Sequence, residues 1–315
     1  MVSGTPPVPS RPLLLRTDHP IEGVALPHVV RHTKSGKARF DDIYNQPDPR
    51  LYFSALRHLE YETPAHAAGV FSRLVAKRRE QLDREDLVEL DLCCSYGVNA
   101  ALLNHEVTLD ALYERYCSAE LAPLSSQDLA ATDGVFYRER RRLSPVQVIG
   151  IDVAENAAAY ARRVGLHVEA SSENLETHDP SEALSRVLAG IDLITVTGGM
   201  SYISERTFDR VLKHAGTTSG PWVAVFALRW VDYEPIAEAL VKYGLTTEKL
   251  TGRTFPQRRF IDDAEQNYAL SELAGMGIAP DGKETEGRYH TEFYLSRPDD
   301  HIRSLPLNEF LAEMC

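Results

Sequence analysis

The residues best placed to do chemistry in this chain are acids, glycines and small side chains that fall where short apolar runs end. The stretch "LVELDLCCSYGVNAALLNHE", Leu87 to Glu106, reads as a strand entering a helix, with Asp91 near the strand end and Cys93, Ser95 and Gly97 in the turn. A turn of small residues lets backbone N–H groups and a helix N-terminus approach a ligand closely. "VQVIGIDVAENAAAYARRVGL" sets Asp152 at the end of a second run, just before a helix. A carboxylate there serves either as a helix cap or as an acceptor of two donors from a ligand. "HVEASSENLE" brings Ser171, Ser172 and Glu173 to a third strand end, and "DLITVTGGMSYIS" brings Thr197, Gly198 and Gly199 to a fourth. Each piece alone has an ordinary structural explanation. Their common position, at the carboxyl ends of parallel strands, is where open α/β sheets bind ligands.

The elements that must position these residues follow from the pattern. From Leu87 onward, apolar runs such as "LVELDL", "VQVIGID", "IDLITVTG" and "WVAVFALRW" alternate with helical stretches such as "AENAAAYARRVG", "RTFDRVLKHA" and "EPIAEALVKYG". That alternation predicts right-handed βαβ units on a mostly parallel, doubly wound α/β sheet of Rossmann-like type. The run "RYHTEFYLSRP", Arg288 to Pro298, predicts a late antiparallel strand.

Residues 40–84 read as a helical front end, in which Thr63 is the expected N-cap and Pro64 the first helical residue of "TPAHAAGVFSRLVAKRREQL". Residues 104–145 interrupt the rhythm and are expected to be a helical insertion, either a cap over the site or a surface helix pair. The remaining boundaries are a flexible Pro- and Ser-rich arm over 1–39, a ligand-binding domain over 85–298 and a tail over 299–315.

Matched by position, "LDLCCSYGVNAALL" resembles motif I of the class I S-adenosylmethionine-dependent methyltransferases, an acid followed by three glycines at alternate positions. Asp91 is then the acid, Cys93 and Ser95 stand at the first two glycines, and Gly97 is the third. The resemblance spans 87–298 and implies that Asp152 holds the ribose hydroxyls of the cofactor. It implies that Ser171, Ser172 and Glu173 lie at the adenine, and that Thr197, Gly198 and Gly199 support the methionine end. Tyr44 in "FDDIYNQPDP" resembles a cofactor-side tyrosine of small-molecule members. Two motif glycines are missing, and 55 residues separate Gly97 from Asp152, where about 20 are usual in a plain βαβ unit.

The implied reaction is in-line transfer of a methyl group from S-adenosylmethionine, leaving S-adenosylhomocysteine, to an O, N or C nucleophile of a small molecule, with no metal expected. His66, Tyr202 and His290 are the catalytic candidates. Arg229, Trp230, Tyr233 and Arg258 are candidates for the acceptor pocket, where arginine would suit a carboxylate or phosphate. The alternatives are a methyltransferase acting on a protein, or a non-catalytic binding module on the same fold.

Composition limits the partners. With 34 Lys and Arg against 46 Asp and Glu the net charge is −12, which disfavours nucleic acid. No apolar run has membrane-spanning length, and the four Cys residues lack zinc-site or disulfide-framework spacing. A cytoplasmic protein is expected, and a homodimer stays open. In the glycine-poor turn, Cys93 and Ser95 are expected to keep φ below zero, with Gly97 holding the turn tight.

Overall fold

Trp222–Leu228 is buried at every position, and its side chains divide the molecule into layers. Val223, Val225 and Ala227 pack into one apolar cluster, while Trp222, Ala224 and Phe226 pack into another. A strand alternates its side chains between faces, so a run that is apolar throughout belongs to a sheet covered on both sides. The computed structural model describes residues 31–32, 38–216 and 220–312. The sequence-based expectations for residues 1–30 lie outside them.

The strands of the main sheet are β1 (Val88–Leu92), β2 (Gln147–Ile151), β3 (Glu169–Ser171), β4 (Leu193–Thr197), β5 (Trp222–Leu228), β6 (Thr246–Lys249), β7 (Phe255–Arg259) and β8 (Arg288–Arg297). Their order is β3-β2-β1-β4-β5-β8-β6, with β7 also paired to β8. The first five are parallel, and β8 runs antiparallel to β5. This is the expected Rossmann-like arrangement with its late antiparallel strand. The chain order reverses between β1 and β4, and that switch point opens a crevice at their carboxyl ends.

The helices are α1 (Asp41–Tyr44), α2 (Arg50–His58), α3 (Thr63–Leu82), α4 (Val98–Asn104), α5 (Leu109–Tyr116), α6 (Ser126–Glu139), α7 (Glu155–Arg163), α8 (Glu182–Leu188), α9 (Glu205–Leu212), α10 (Glu234–Val241) and α11 (Asp263–Gly275), followed by two short ones, Asp299–Ser304 and Leu307–Phe310. Helix α3 covers one face through Val70, Phe71 and Leu74, and helices α8 to α10 cover the other through Leu188, Phe208 and Leu240. No described helix is long and apolar enough to cross a membrane.

Three expectations are corrected. Thr63 is the first residue of α3 rather than its cap. Glu62 holds the cap position without a side-chain bond, because its backbone N–H is drawn to the Gln257 carbonyl at 2.8 Å. The segment "FPQRR", absent from the expected strands, is a strand, since β8 is long enough to pair with β5 on one edge and with both β6 and β7 on the other.

Residues 104–145 do not cap the crevice, and none of them lines it. Nor are they ornamental: α5 and α6 brace the front end. Tyr116 stacks on Phe53 of α2 with ring centroids 4.5 Å apart, and Arg50 donates to the carbonyls of Leu121, Ala122 and Leu124. Asp133 of α6, fully buried, accepts from Arg115, from the Tyr116 hydroxyl and from the Tyr160 hydroxyl of α7.

Candidate functional site

The turn after β1 is the first part of the site. Cys93, Ser95 and Gly97 have φ of 59°, 47° and 75°, so both non-glycine residues adopt the left-handed conformation that was expected to be avoided. The hydrogen bonding explains why. The N–H groups of Cys93 and Cys94 both donate to the Ile151 carbonyl, at 2.8 and 3.3 Å, and the Ser95 N–H donates to Asp152 Oδ2 at 2.8 Å. Turning successive N–H groups toward β2 requires left-handed residues at alternate positions.

Space for the two larger side chains comes from glycines on neighbouring elements. A Cβ on Gly199 would lie 2.5 Å from Cys93 Cβ, and one on Gly150 would lie 2.7 Å from Cys94 Sγ. Glycine at position 95 should therefore relieve strain. The left-handed conformation costs an L-residue roughly 1–2 kcal/mol, against about 0.5–1 kcal/mol of extra chain entropy lost by glycine. Ser95→Gly is expected to raise the unfolding free energy by about 0.5–1 kcal/mol, read from denaturant midpoints, and a clear loss would show that the turn is relaxed as it stands.

This turn, Asp152, the loop after β3 and the Gly198-Gly199 corner border a cavity of about 520 Å³. Asp152 holds the middle. Its two oxygens accept from the Ser95 and Ala154 N–H groups, both at 2.8 Å, while burial still raises its pKa. Each oxygen keeps a further lone pair.

Beneath the floor, Asn99 Nδ2 donates to Asp91 Oδ1 at 2.9 Å and to Thr197 Oγ1 at 2.8 Å. Asp91 thus sets the floor without lining the cavity. Burial, then the charge of Glu89 below it, drives its pKa well up. Glu89 accepts from Thr195 Oγ1 at 2.7 Å, and burial pushes its pKa up to about 7. On the far side Glu173 caps α8 through the Ser181 N–H and hydroxyl, and Glu176 does the same for α9 through Ser204.

The structure brings Tyr44, Cys93, Ser95, Asp152, Glu173, Thr197, Gly198, Gly199, Tyr202 and Arg258 to this one cavity. Ser171 and Ser172 border a separate, shallower hollow against α7. Gly97 is the N-cap of α4, packed toward Ala161. His66 lies outside, 3.5 Å from a Glu62 oxygen. His290 faces Thr254 at 3.1 Å, and burial with neighbouring cations lowers its pKa to about 4. Arg229 is buried against Glu284 and the Ala279 carbonyl, Trp230 packs on Tyr268, and Tyr233 stacks on Tyr294. These last three therefore belong to the packing around β5 and β8, not to the cavity wall.

Asn174, next to Glu173 in "HVEASSENLE", also lines the cavity, as do Phe40, Tyr52, Tyr61, Asn99 and Gln257, none of which was expected there. Phe40, Tyr52 and Tyr61 carry a signal in the sequence as aromatics of the same front end as Tyr44. Gln257 and Tyr61 meet because the α2–α3 corner docks on β7 through two backbone bonds, Glu62 N–H to the Gln257 carbonyl and Arg259 N–H to the Leu59 carbonyl at 2.7 Å. A Cβ on Gly198 would sit 2.8 Å from Tyr61 Oη and 3.6 Å from Gln257 Nε2.

No family model matches the chain, and no curated protein matches it. Among solved structures the chain is similar to the plantazolicin methyltransferase BpumL in complex with S-adenosylhomocysteine, at 11% identity and a TM-score of 0.40 over 82% of this chain and 93% of that one. It is also similar to the magnesium protoporphyrin IX methyltransferase of Synechocystis PCC 6803 with bound S-adenosylmethionine, at 11% identity and a TM-score of 0.35 over 73% and 79%. A TehB-like methyltransferase from Corynebacterium glutamicum ATCC 13032 Kitasato matches at 12% identity and a TM-score of 0.35 over 70% and 85%.

Proposed function

We propose that this chain is an enzyme, an S-adenosylmethionine-dependent methyltransferase acting on a small-molecule acceptor. The observation that carries the reading is Asp152: a carboxylate at the end of β2, fixed by two backbone N–H groups and open to the cavity beside a left-handed turn. Such a group fits a vicinal diol, which offers two donors to two oxygens. The turn backbone at 93–95, Glu173 with Asn174, and the Gly198-Gly199 corner would enclose the rest of an adenosyl group. Tyr44 would lie at its methionine end.

The sulfonium supplies an already activated methyl group, so the remaining work is to align an acceptor behind it and to exclude water. Alignment of this kind contributes up to about 7–11 kcal/mol. Tyr44, Tyr52 and Tyr61 of the front end, which line the cavity, would perform it. Burial raises all three hydroxyl pKa values, so these groups stay protonated and orient rather than act as bases. Tyr202, half exposed at the mouth, would cover a bound acceptor.

Asp152→Ala is expected to weaken S-adenosylhomocysteine binding by about 1.5–3 kcal/mol, the range for hydrogen bonds to a charged group, in a protein that still folds but is less stable because the Ser95 and Ala154 N–H groups lose their acceptor. Calorimetry that finds equal affinity in the two proteins removes Asp152 from the cofactor site. A folded parent that binds neither S-adenosylmethionine nor S-adenosylhomocysteine would leave a binding module on this fold as the better account.

A further inference from the structure

Two buried polar side chains of the cavity wall have an oxygen with no hydrogen-bond partner among the described residues, the Ser95 hydroxyl in the turn and the larger carboxamide of Gln257. Gln257 of β7 is only 3% exposed, lines the cavity, and its Oε1 has no hydrogen-bond partner among the described residues. A buried amide oxygen without a donor is unfavourable and rare in folded proteins. The side chain lies at the Gly198 end beside Tyr61, away from the loop after β3.

Among the described residues lining the cavity, the one cation is already matched. Arg258 is held by Glu265 through two bonds of 2.7 and 2.8 Å. Glu173 is held by Ser181, and Glu176 by Ser204 and Thr207. An anionic ligand group entering here would lose water and find no free cation among the described residues lining the cavity, which is costly in a low-dielectric site. The surrounding surface is aromatic, built from Phe40, Tyr44, Tyr52 and Tyr61.

We propose that Gln257 is the specificity-determining residue for the methyl acceptor, and that the acceptor is a flat molecule without negative charge presenting an N–H or O–H to this carboxamide. The inference rests on the methyltransferase reading and deepens it, since the group received by Gln257 is the nucleophile or its neighbour. In the transfer, the acceptor's lone pair forms the bond to the methyl carbon and the carbon–sulfur pair returns to sulfur. The positive charge thereby moved onto the acceptor is discharged as a proton to water. The carboxamide accepts the hydrogen bond until that proton leaves and is not itself ionised.

The test uses the full chain loaded with S-adenosylhomocysteine and three probes of matched shape: naphthol, naphthylamine and naphthoate. Ligand-observed NMR should show the two neutral probes bound and the carboxylate at least about tenfold weaker. Gln257→Leu should weaken the neutral probes by roughly tenfold while S-adenosylhomocysteine binds within about threefold of the parent, which also reports that the variant is folded. Naphthoate binding as well as naphthol, or no probe binding, overturns the proposal. So does unchanged naphthol binding in Gln257→Leu, or in Gln257→Met should the Leu variant fail to fold. Failure of S-adenosylhomocysteine to bind the parent is a different result and removes the methyltransferase reading itself.

Discussion

Replacing Asp133 with Ala should lower the unfolding free energy by about 3–5 kcal/mol, the range for breaking a buried ion pair from one side. Asp133 is fully buried and its carboxylate satisfies three partners from two other helices, α5 and α7. Arg115 lies at 2.6 Å, the Tyr116 hydroxyl at 2.7 Å and the Tyr160 hydroxyl at 2.6 Å. Its loss leaves a mostly buried guanidinium without its carboxylate and the Tyr160 hydroxyl without its acceptor, while the Tyr116 hydroxyl keeps only the Tyr137 hydroxyl. Urea denaturation with a two-state fit measures it. A change below about 1 kcal/mol, the value of a single exposed pair, would mean that α6 is not the brace that its contacts describe.

The second large effect lies behind the cavity. Arg258→Met should cost about 3–5 kcal/mol, because it leaves Glu265, itself fully buried, without its cation. Combining it with Glu265→Leu should recover much of that loss, since removing both charges removes the desolvation cost that the pair was offsetting. A double variant as unstable as the single one would show that the cost is shape, arising from the packing of Arg258 on Phe40 and Tyr289.

These two sites also show where sequence reasoning stops. The parallel strands were legible because their apolar runs are short, bounded and buried on both faces, and the corner residues Asp152 and Gly198-Gly199 follow from the same frame. The positions of Cys93 and Ser95 were legible, but their backbone conformation was not. At Cys93 it depends on the Cβ space left by Gly199, and at Ser95 on the Asp152 carboxylate that receives its N–H, both outside the turn itself. Strand β7 was hidden because "FPQRR" carries a proline and two arginines. It becomes a strand only through β8, which pairs with it. Gln257 and Asp133 carried no signal at all, because a lone Gln and a lone Asp acquire meaning only from what surrounds them. The insertion was visible as a break in rhythm, yet its work as a brace depends on Phe53 and Tyr160, which are remote in sequence.

The docking of the α2–α3 corner on β7 bears on how the chain is made. Glu60 and Arg259 pair although 199 residues separate them, so the front-end helices leave the ribosome long before the strand that receives them exists. Until then the apolar side of α3, with Phe71 and Leu74, lacks Phe226 and Phe293, on which it finally rests. Contacts of such separation form late and slowly, and apolar surface waiting for them is open to association with other chains. The strand ends around Asp152 come from one contiguous stretch of sequence and can assemble first, so the acceptor wall is the last part of the cavity to close during synthesis.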